Sequence, residues 1–255
     1  MPEKLTEYSV GEVLAAYRGE LEHFVSLSFA TICGSGPNGA IIHYSAKEET
    51  AASITPSDML LLDSGGQYFD GTTDVTRTHH FGRPSEEEQR AYTRVLQGFV
   101  DLADAKFPER TTGHSLDTLA RVPLWKEGWD FRHGTGHGVG AFLNVHEGPH
   151  GIASRPRPGY SGGLVQGMTV TDEPGFYLDD KFGIRIENVL AVKEAEVPHH
   201  FGGKTYCDFE NLTLVPIQLH RIAMLDLLQD SQRQWINQYH KICREEILPL
   251  LSSEK

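Results

Sequence analysis

Positive charge and cysteine are both in short supply in this sequence. Its 23 lysines and arginines stand against 35 aspartates and glutamates, a formal net charge of −12. Such a surface repels phosphate backbones and anionic lipid, which argues against nucleic acid or a membrane surface as a partner. Long apolar runs are missing too. Met59-Leu60-Leu61-Leu62 is among the longest, far too short to span a bilayer. No basic segment followed by an apolar core opens the chain, so no signal peptide is read and a cytoplasmic location is expected. Cys33, Cys207 and Cys243 are far apart and form no CxxC, which fits reduced thiols better than a disulfide framework or a thiolate zinc site. What the chain has instead is many carboxylates together with 13 histidines, the raw material of a metal site.

Hydrophobic spacing predicts helices over 9–23 (Ser9 as N-cap, an apolar face of Val13, Leu14, Tyr17, Leu21 and Phe24), 86–106, 115–126 and 231–251. Ser85 and Glu88 form an S-x-x-E capping box at the start of the second. Strands are expected at 27–32, 59–63, 73–81, 168–172, 182–192 and 205–215, with a turn at Ser64-Gly65-Gly66 and another around Asp179-Asp180-Lys181. Residues 132–167 are crowded with glycine, proline and histidine and hold no period, the mark of a functional or mobile stretch. Nothing divides the chain, so the expectation is one α+β domain over 1–255, with 216–255 as a helical extension.

Two pattern matches are discarded on physical grounds. His146-Glu147-Gly148-Pro149-His150 spells H-E-x-x-H, but glycine and proline inside the motif cost about 1 and 3 kcal/mol in a helix, and the motif works only on a helix. Gly136-His137-Gly138-Val139-Gly140-Ala141 fits G-x-G-x-x-A without the flanking strand and helix that bind a dinucleotide.

The stronger signal is four carboxylates placed where strands are apolar. Asp63 follows Leu60-Leu61-Leu62, and Glu187 sits inside Ile184-Arg185-Ile186-Glu187-Asn188-Val189-Leu190. Asp63 and Asp74 flank one turn, Glu173 and Glu187 another, so two hairpins with a carboxylate on each arm are expected to face each other across a cleft. Surface turns or arginine salt bridges explain each carboxylate singly, but not all four beside His137 in its glycine-rich loop. Four carboxylates and an imidazole suit Mn²⁺, Co²⁺, Mg²⁺ or Zn²⁺, and their charge balances two such ions better than one. The chemistry of such a centre is hydrolysis.

These residues lie in LLLDSGGQY, DGTTDVTRT, HGTGHGVGAFLNVHEGP, TDEPGFY and GIRIENV, with GPNGAIIHY around His43. Together these motifs resemble the "pita-bread" metallopeptidases (the creatinase and methionine aminopeptidase fold), and most of all aminopeptidase P, the Xaa-Pro aminopeptidases of the cytosolic long form. The resemblance runs from about Thr6 into the C-terminal helix. It implies that Asp63 holds one divalent ion, that His137 and Glu173 hold the other, and that Asp74 and Glu187 bridge them. Manganese is the first choice, with cobalt or zinc as alternatives. Glu173 is then general base and acid, with His43, His133 and His146 on the substrate side, His43 and His146 among them as catalytic groups. Arg185 supports the bridging carboxylates. The implied reaction releases the N-terminal residue of a peptide with proline in second position, by attack of a hydroxide bridging the two metals. A homodimer is also implied. The family has one more long helix, and in the long form further domains, ahead of Met1-Pro2-Glu3-Lys4. A truncated catalytic domain with exposed apolar surface is therefore expected. The alternatives are a proline dipeptidase and a peptide-binding module without catalysis.

Overall fold

The computed structural model describes residues 5–156 and 162–251. The first helix, α1 (Glu7–Gly19), starts two residues before the expected Ser9 because Thr6 is extended and caps it. Thr6 Oγ1 accepts from the Ser9 amide at 3.1 Å and Ser9 Oγ accepts from the Thr6 amide at 2.9 Å, a reciprocal box in which Ser9 is the third helical residue. Of the apolar face read in the sequence, Leu14 and Phe24 are half-buried and the rest is exposed. Val13, Tyr17 and Leu21 are 46, 64 and 58% exposed, and Leu5 and Val25 nearby in the sequence are exposed as well.

The strand expected at 27–32 is two strands, β1 (Phe24–Leu27) and β2 (Ile32–Ser35), parted where Ser28 bonds the carbonyls of Gly65 and Thr73. Next come β3 (Met59–Ser64), β4 (Gly66–Tyr68), β5 (Gly71–Thr72) and β6 (Val75–His80). Ser64-Gly65-Gly66 is not the turn; the chain continues into β4 and reverses at Phe69–Asp70. Glycine is needed at 65 for another reason: a Cβ there would sit 2.0 Å from the Thr73 carbonyl oxygen. β3 is the middle of an antiparallel sheet in the order β2-β3-β6, with Asp63 facing Thr76 across it.

The Ser85–Glu88 box caps α2 (Glu86–Ala103) as expected, and the helix stops three residues early. β7 (Phe107–Pro108) leads to α3 (Gly113–Trp125), which starts two residues before the expected 115 and is capped by Thr112, with Pro123 taken into its last turn. The irregular stretch 132–167, partly outside the described residues, has only β8 (Gly136–His137) and β9 (Gly151–Ile152) as regular structure, and no helix forms at 146–150. Then follow β10 (Thr169–Asp172), β11 (Gly175–Leu178), β12 (Phe182–Arg185) and β13 (Asn188–Glu194). The single strand expected at 182–192 breaks at Ile186–Glu187 because its halves have different partners, β12 pairing with β11 and β13 with β10. β14 (Tyr206–Asn211) extends a sheet of order β10-β13-β14-β7, and α4 (Asp230–Leu251) closes the chain.

The core lies between sheets and helices. Tyr92, Val95, Leu96 and Phe99 of α2 pack with Phe176, Ile184 and Ile186 and with Ile236, Tyr239 and Cys243 of α4. A second cluster sets Leu102, Leu116 and Ala120 against Val170, Leu190 and Val192. Residues 217–243 thus fill the main core. The sheets are left with one face against helices and one edge region free to build a site.

Candidate metal centre

All nine side chains singled out in the sequence (Asp63, Asp74, His137, Glu173, Glu187, His43, His133, His146 and Arg185) line one cavity of about 410 Å³. β3 supplies Asp63 from its C-terminal end, and Asp74 comes just before β6. Glu173 and Glu187 occupy the steps from β10 to β11 and from β12 to β13. The two carboxylate-bearing hairpins join where the Glu187 amide donates to the Thr76 carbonyl at 3.1 Å. His137 reaches the cluster because β8 lies against β10. That approach needs Gly136, where a Cβ would lie 1.8 Å from the Thr171 carbonyl oxygen.

The geometry selects a tautomer for His137. Its Nδ1 is 3.0 Å from the Gly138 carbonyl, an acceptor only, so Nδ1 carries the proton and donates. The lone pair is then on Nε2, which lies 3.5 Å from Asp74 Oδ2 and 3.5 Å from Glu173 Oε1. One ligand atom each from Asp74, His137 and Glu187 falls within 4.8 Å of the others. Thr76 Oγ1 donates to Glu187 Oε2 at 2.7 Å, and Asp63 Oδ2 accepts from Arg185 at 2.7 Å while its Oδ1 is buried without a partner among the described residues.

Charge is badly out of balance in this cavity. Burial, then Asp63, pushes the Asp74 carboxyl up; burial, then Asp74, does the same to Glu187. Burial and Glu187 raise Glu173 to about 8. A fifth acidic neighbour, Asp172, is fully buried with neither oxygen partnered among the described residues, and it too is raised, by burial and Glu173. Among the described residues only Arg185 offers a formal positive charge against them at hydrogen-bonding range. Carboxylates this close need cations, and a neutral imidazole with its lone pair turned inward completes an oxygen-rich donor set. The residues fit a pair of divalent ions.

A pH effect on the metal-free protein follows. A carboxyl raised from 4.5 to about 8 keeps, in the folded state, a proton that the unfolded chain has released, so stability falls as pH rises through that range. His133 acts oppositely: burial lowers it from 6.5 to about 4, and its contribution is complete above 6.5. Between pH 6.5 and 8 the metal-free chain is therefore expected to melt at progressively lower temperature, and saturating Mn²⁺ is expected to remove the trend. A melting temperature independent of pH without metal would refute the charge argument.

The sequence model of metallopeptidase family M24 matches residues 1–194, and that of the C-terminal region of peptidase M24 matches 205–255. The chain belongs to metallopeptidase family M24. Aminopeptidase P1 of Lotus japonicus is 53% identical over 248 residues, which cover 97% of this chain and 37% of that protein. The X-prolyl aminopeptidase of Caenorhabditis elegans, described as a cytosolic enzyme with a di-nuclear active site, superposes with a TM-score of 0.93 at 42% identity, covering 99% of this chain and 40% of that one. The prolidase of Pyrococcus furiosus is more distant, with a TM-score of 0.66 at 29% identity over 75% of this chain. The chain spans about two fifths of the length of the aminopeptidase P relatives it matches. The architecture is the α+β pita-bread fold of the family.

Around this cluster of carboxylates and imidazole lies a hydrogen-bonded support of which the sequence disclosed only Arg185. Arg185 does not touch Asp74 or Glu187. It donates to Asp63, to Thr76 Oγ1 at 3.2 Å and to the Tyr177 hydroxyl at 2.7 Å, and it reaches Glu187 only through Thr76. The Tyr177 hydroxyl meets His133 Nε2 at 2.8 Å, and because His133 Nδ1 must donate to the Gly134 carbonyl, Tyr177 is the donor in that contact. Both ring nitrogens of His133 are thus engaged, whereas His43 and His146 stand at the open side of the cavity.

Two further clamps hold the loops. Arg121 of α3 pairs with Asp117 at 2.7 Å and grips the carbonyls of Phe131 and His133, while Asp117 accepts from Thr135, whose carbonyl takes the Glu173 amide. The buried Glu7 carboxylate accepts from the Ser35 and Ala52 amides, Asn38 and Tyr44, fixing the segment that carries His43. The partners of Glu7 lie 28 to 45 residues along the chain, so no local signal in the sequence marks this clamp.

Proposed function

We propose that this chain carries the catalytic centre of a dinuclear metal-dependent Xaa-Pro aminopeptidase, which releases the N-terminal residue from peptides with proline in second position. The observation that carries the reading is the His137 Nε2 lone pair set 3.5 Å from both Asp74 and Glu173 in a cavity that also holds Asp63, Glu187 and the three substrate-side histidines. In this reading Asp63 binds one cation, His137 and Glu173 the other, and Asp74 and Glu187 are shared. When bound, the cations would supply a water acidic enough to deprotonate near neutral pH and positive charge for the developing oxyanion. Mn²⁺ is the proposed metal, since carboxylate oxygens dominate the donor set.

The rest of the chemistry belongs to side chains. Glu173 Oε1 is open to the cavity, and its carboxyl, raised to about 8 before any cation is counted, is suited to taking a proton from water and passing it to the leaving proline nitrogen. That nitrogen belongs to a tertiary amide and carries no hydrogen of its own, so a donor must be placed against it. His43 and His146 are free to orient the peptide and steady the tetrahedral state. His133, held by Tyr177, shapes the wall between them and Arg185. His43→Ala is expected to leave two cations per chain and to lower kcat by about 10²-fold, the range for loss of one positioned donor. Metal analysis alongside peptide hydrolysis checks this, and loss of metal in that variant would contradict the role.

Proline dipeptidase is the competing reading, favoured by the similarity to the Pyrococcus furiosus prolidase. Hydrolysis of Xaa-Pro compared with Xaa-Pro-Yaa-Zaa decides between them, with preference for the longer peptide expected here. Exclusive turnover of the dipeptide would reverse the assignment. A cytosolic setting and a homodimer are part of the proposal. The three free, buried thiols suit a reducing compartment, and no described helix is long and apolar enough to cross a membrane.

A further inference from the structure

Three arginines are buried in the described structure, and two of them face carboxylates: Arg121 with Asp117, and Arg185 with Asp63. The third, Arg77, has no acidic partner within ion-pair distance among the described residues, yet every arm of its guanidinium is bonded. Nη1 donates to the carbonyls of Thr76 at 2.8 Å and Glu187 at 2.6 Å. Nη2 donates to Asn188 Oδ1 at 2.8 Å, the Val215 carbonyl at 2.5 Å and the Tyr239 hydroxyl at 3.0 Å, and Nε shares the carbonyls of Val215 and Pro216. A buried guanidinium is costly to desolvate, and one without a contacting anion is tolerable where carboxylates lie nearby. The carboxylates here are those of the metal centre, one strand away: Thr76 precedes Arg77 in β6, and its hydroxyl holds Glu187.

The contacts divide into two groups. Thr76, Glu187 and Asn188 belong to the joint between the two hairpins, whereas Val215, Pro216 and Tyr239 belong to the C-terminal region. Tyr239 is itself locked, stacked on Trp235 at 5.3 Å with its rings 8° from parallel and its hydroxyl within 2.9 and 3.0 Å of the Val215 and Thr213 carbonyls. We propose that the C-terminal region serves the metal centre as a positioning element, with Tyr239 and the Val215–Pro216 carbonyls holding Arg77, and Arg77 holding the backbone of Glu187. Arg77 and Tyr239 are positioning residues; neither lines the cavity. The inference rests on the metal-centre reading and gives residues 205–251 a task besides closing the core.

The test is Co²⁺ binding to the metal-free full chain, followed by calorimetry and by the visible absorption of bound Co²⁺, which reports ligand geometry. Tyr239→Phe is expected to weaken binding about three- to tenfold, the effect of one hydrogen bond, and to shift the absorption band. Arg77→Lys, which keeps the charge and loses the fork, is expected to weaken it more than about thirtyfold. Ile236→Val, on the same helix, buried in the core and outside Arg77's hydrogen-bond set, is the control and should leave affinity within about twofold. Should Arg77→Lys not fold, Tyr239→Phe against Ile236→Val still decides. Equal Co²⁺ affinities for that pair at matched loss of melting temperature would overturn the positioning role, with the metal centre itself intact. A parent chain that binds no Co²⁺ would overturn both.

Discussion

Glu187→Ala is expected to strip both cations from the centre and to lower kcat/KM for an Xaa-Pro peptide by roughly 10³-fold or more. Glu187 is 1% exposed, its Oε2 is oriented by Thr76, and its carboxylate offers an atom within 4.8 Å of both Asp74 and His137. In the proposed assignment this carboxylate is shared by both cation positions, so its loss would not be confined to one of them, and Asp74→Ala should behave alike. The variant also gives a second, opposite readout. Burial and the neighbouring Asp74 hold the Glu187 carboxyl well above its ordinary range, a sign of repulsion in the metal-free state. Removing it should leave the metal-free chain at least as heat-stable as the parent at pH 8, while abolishing the stabilisation that Mn²⁺ gives the parent. Metal analysis, peptide hydrolysis and thermal melting measure the three effects. Two cations per chain in Glu187→Ala would end the shared-ligand assignment.

Glu173→Gln is the second large effect, and it separates proton transfer from cation binding. The amide keeps the length and shape of the side chain, including an oxygen for the Thr171 hydroxyl now 3.3 Å from Oε1. It cannot carry a proton between water and the leaving nitrogen. A fall in kcat of about 10²- to 10⁴-fold is expected with KM little changed, the range for loss of a general acid–base group. Only the cation on the His137 side should bind more weakly, because Glu173 lies 3.5 Å from His137 while Asp63 stands with Arg185. Steady-state kinetics with one and two equivalents of Mn²⁺ checks this. Activity within tenfold of the parent would remove Glu173 from the proton path.

The site was more legible in the sequence than its support. Carboxylates after or inside apolar runs are costly unless something charged answers them, so Asp63 and Glu187 declared themselves without any alignment. The discarded H-E-x-x-H match failed for the reason given by Gly148 and Pro149, and the Ser85–Glu88 box was readable because its partners are three residues apart. Contacts between distant segments left no such trace. Arg185 next to Asp63, Tyr177 next to His133 and Arg77 under Glu187 depend on register, and nothing local in the sequence states a register. The break at Ile186–Glu187 was hidden for the same reason: each half of the segment is strand-like, and only the separate partners β11 and β10 reveal the step. The helix face of Val13, Tyr17 and Leu21 had the period of a buried face and turned out to lie on the surface, since period alone does not say what covers a face.

The joint between the two hairpins, where the Glu187 amide meets the Thr76 carbonyl, also bears on the order in which the molecule folds. Its two sides are 111 residues apart in the sequence, and the long loop between them must close before either carboxylate pair sees the other. A cation arriving early finds only Asp63 and Asp74 on one hairpin and cannot act as a nucleus. Cation capture is thus the signature of a finished fold: in refolding, Mn²⁺ uptake should follow the slowest phase rather than speed the first.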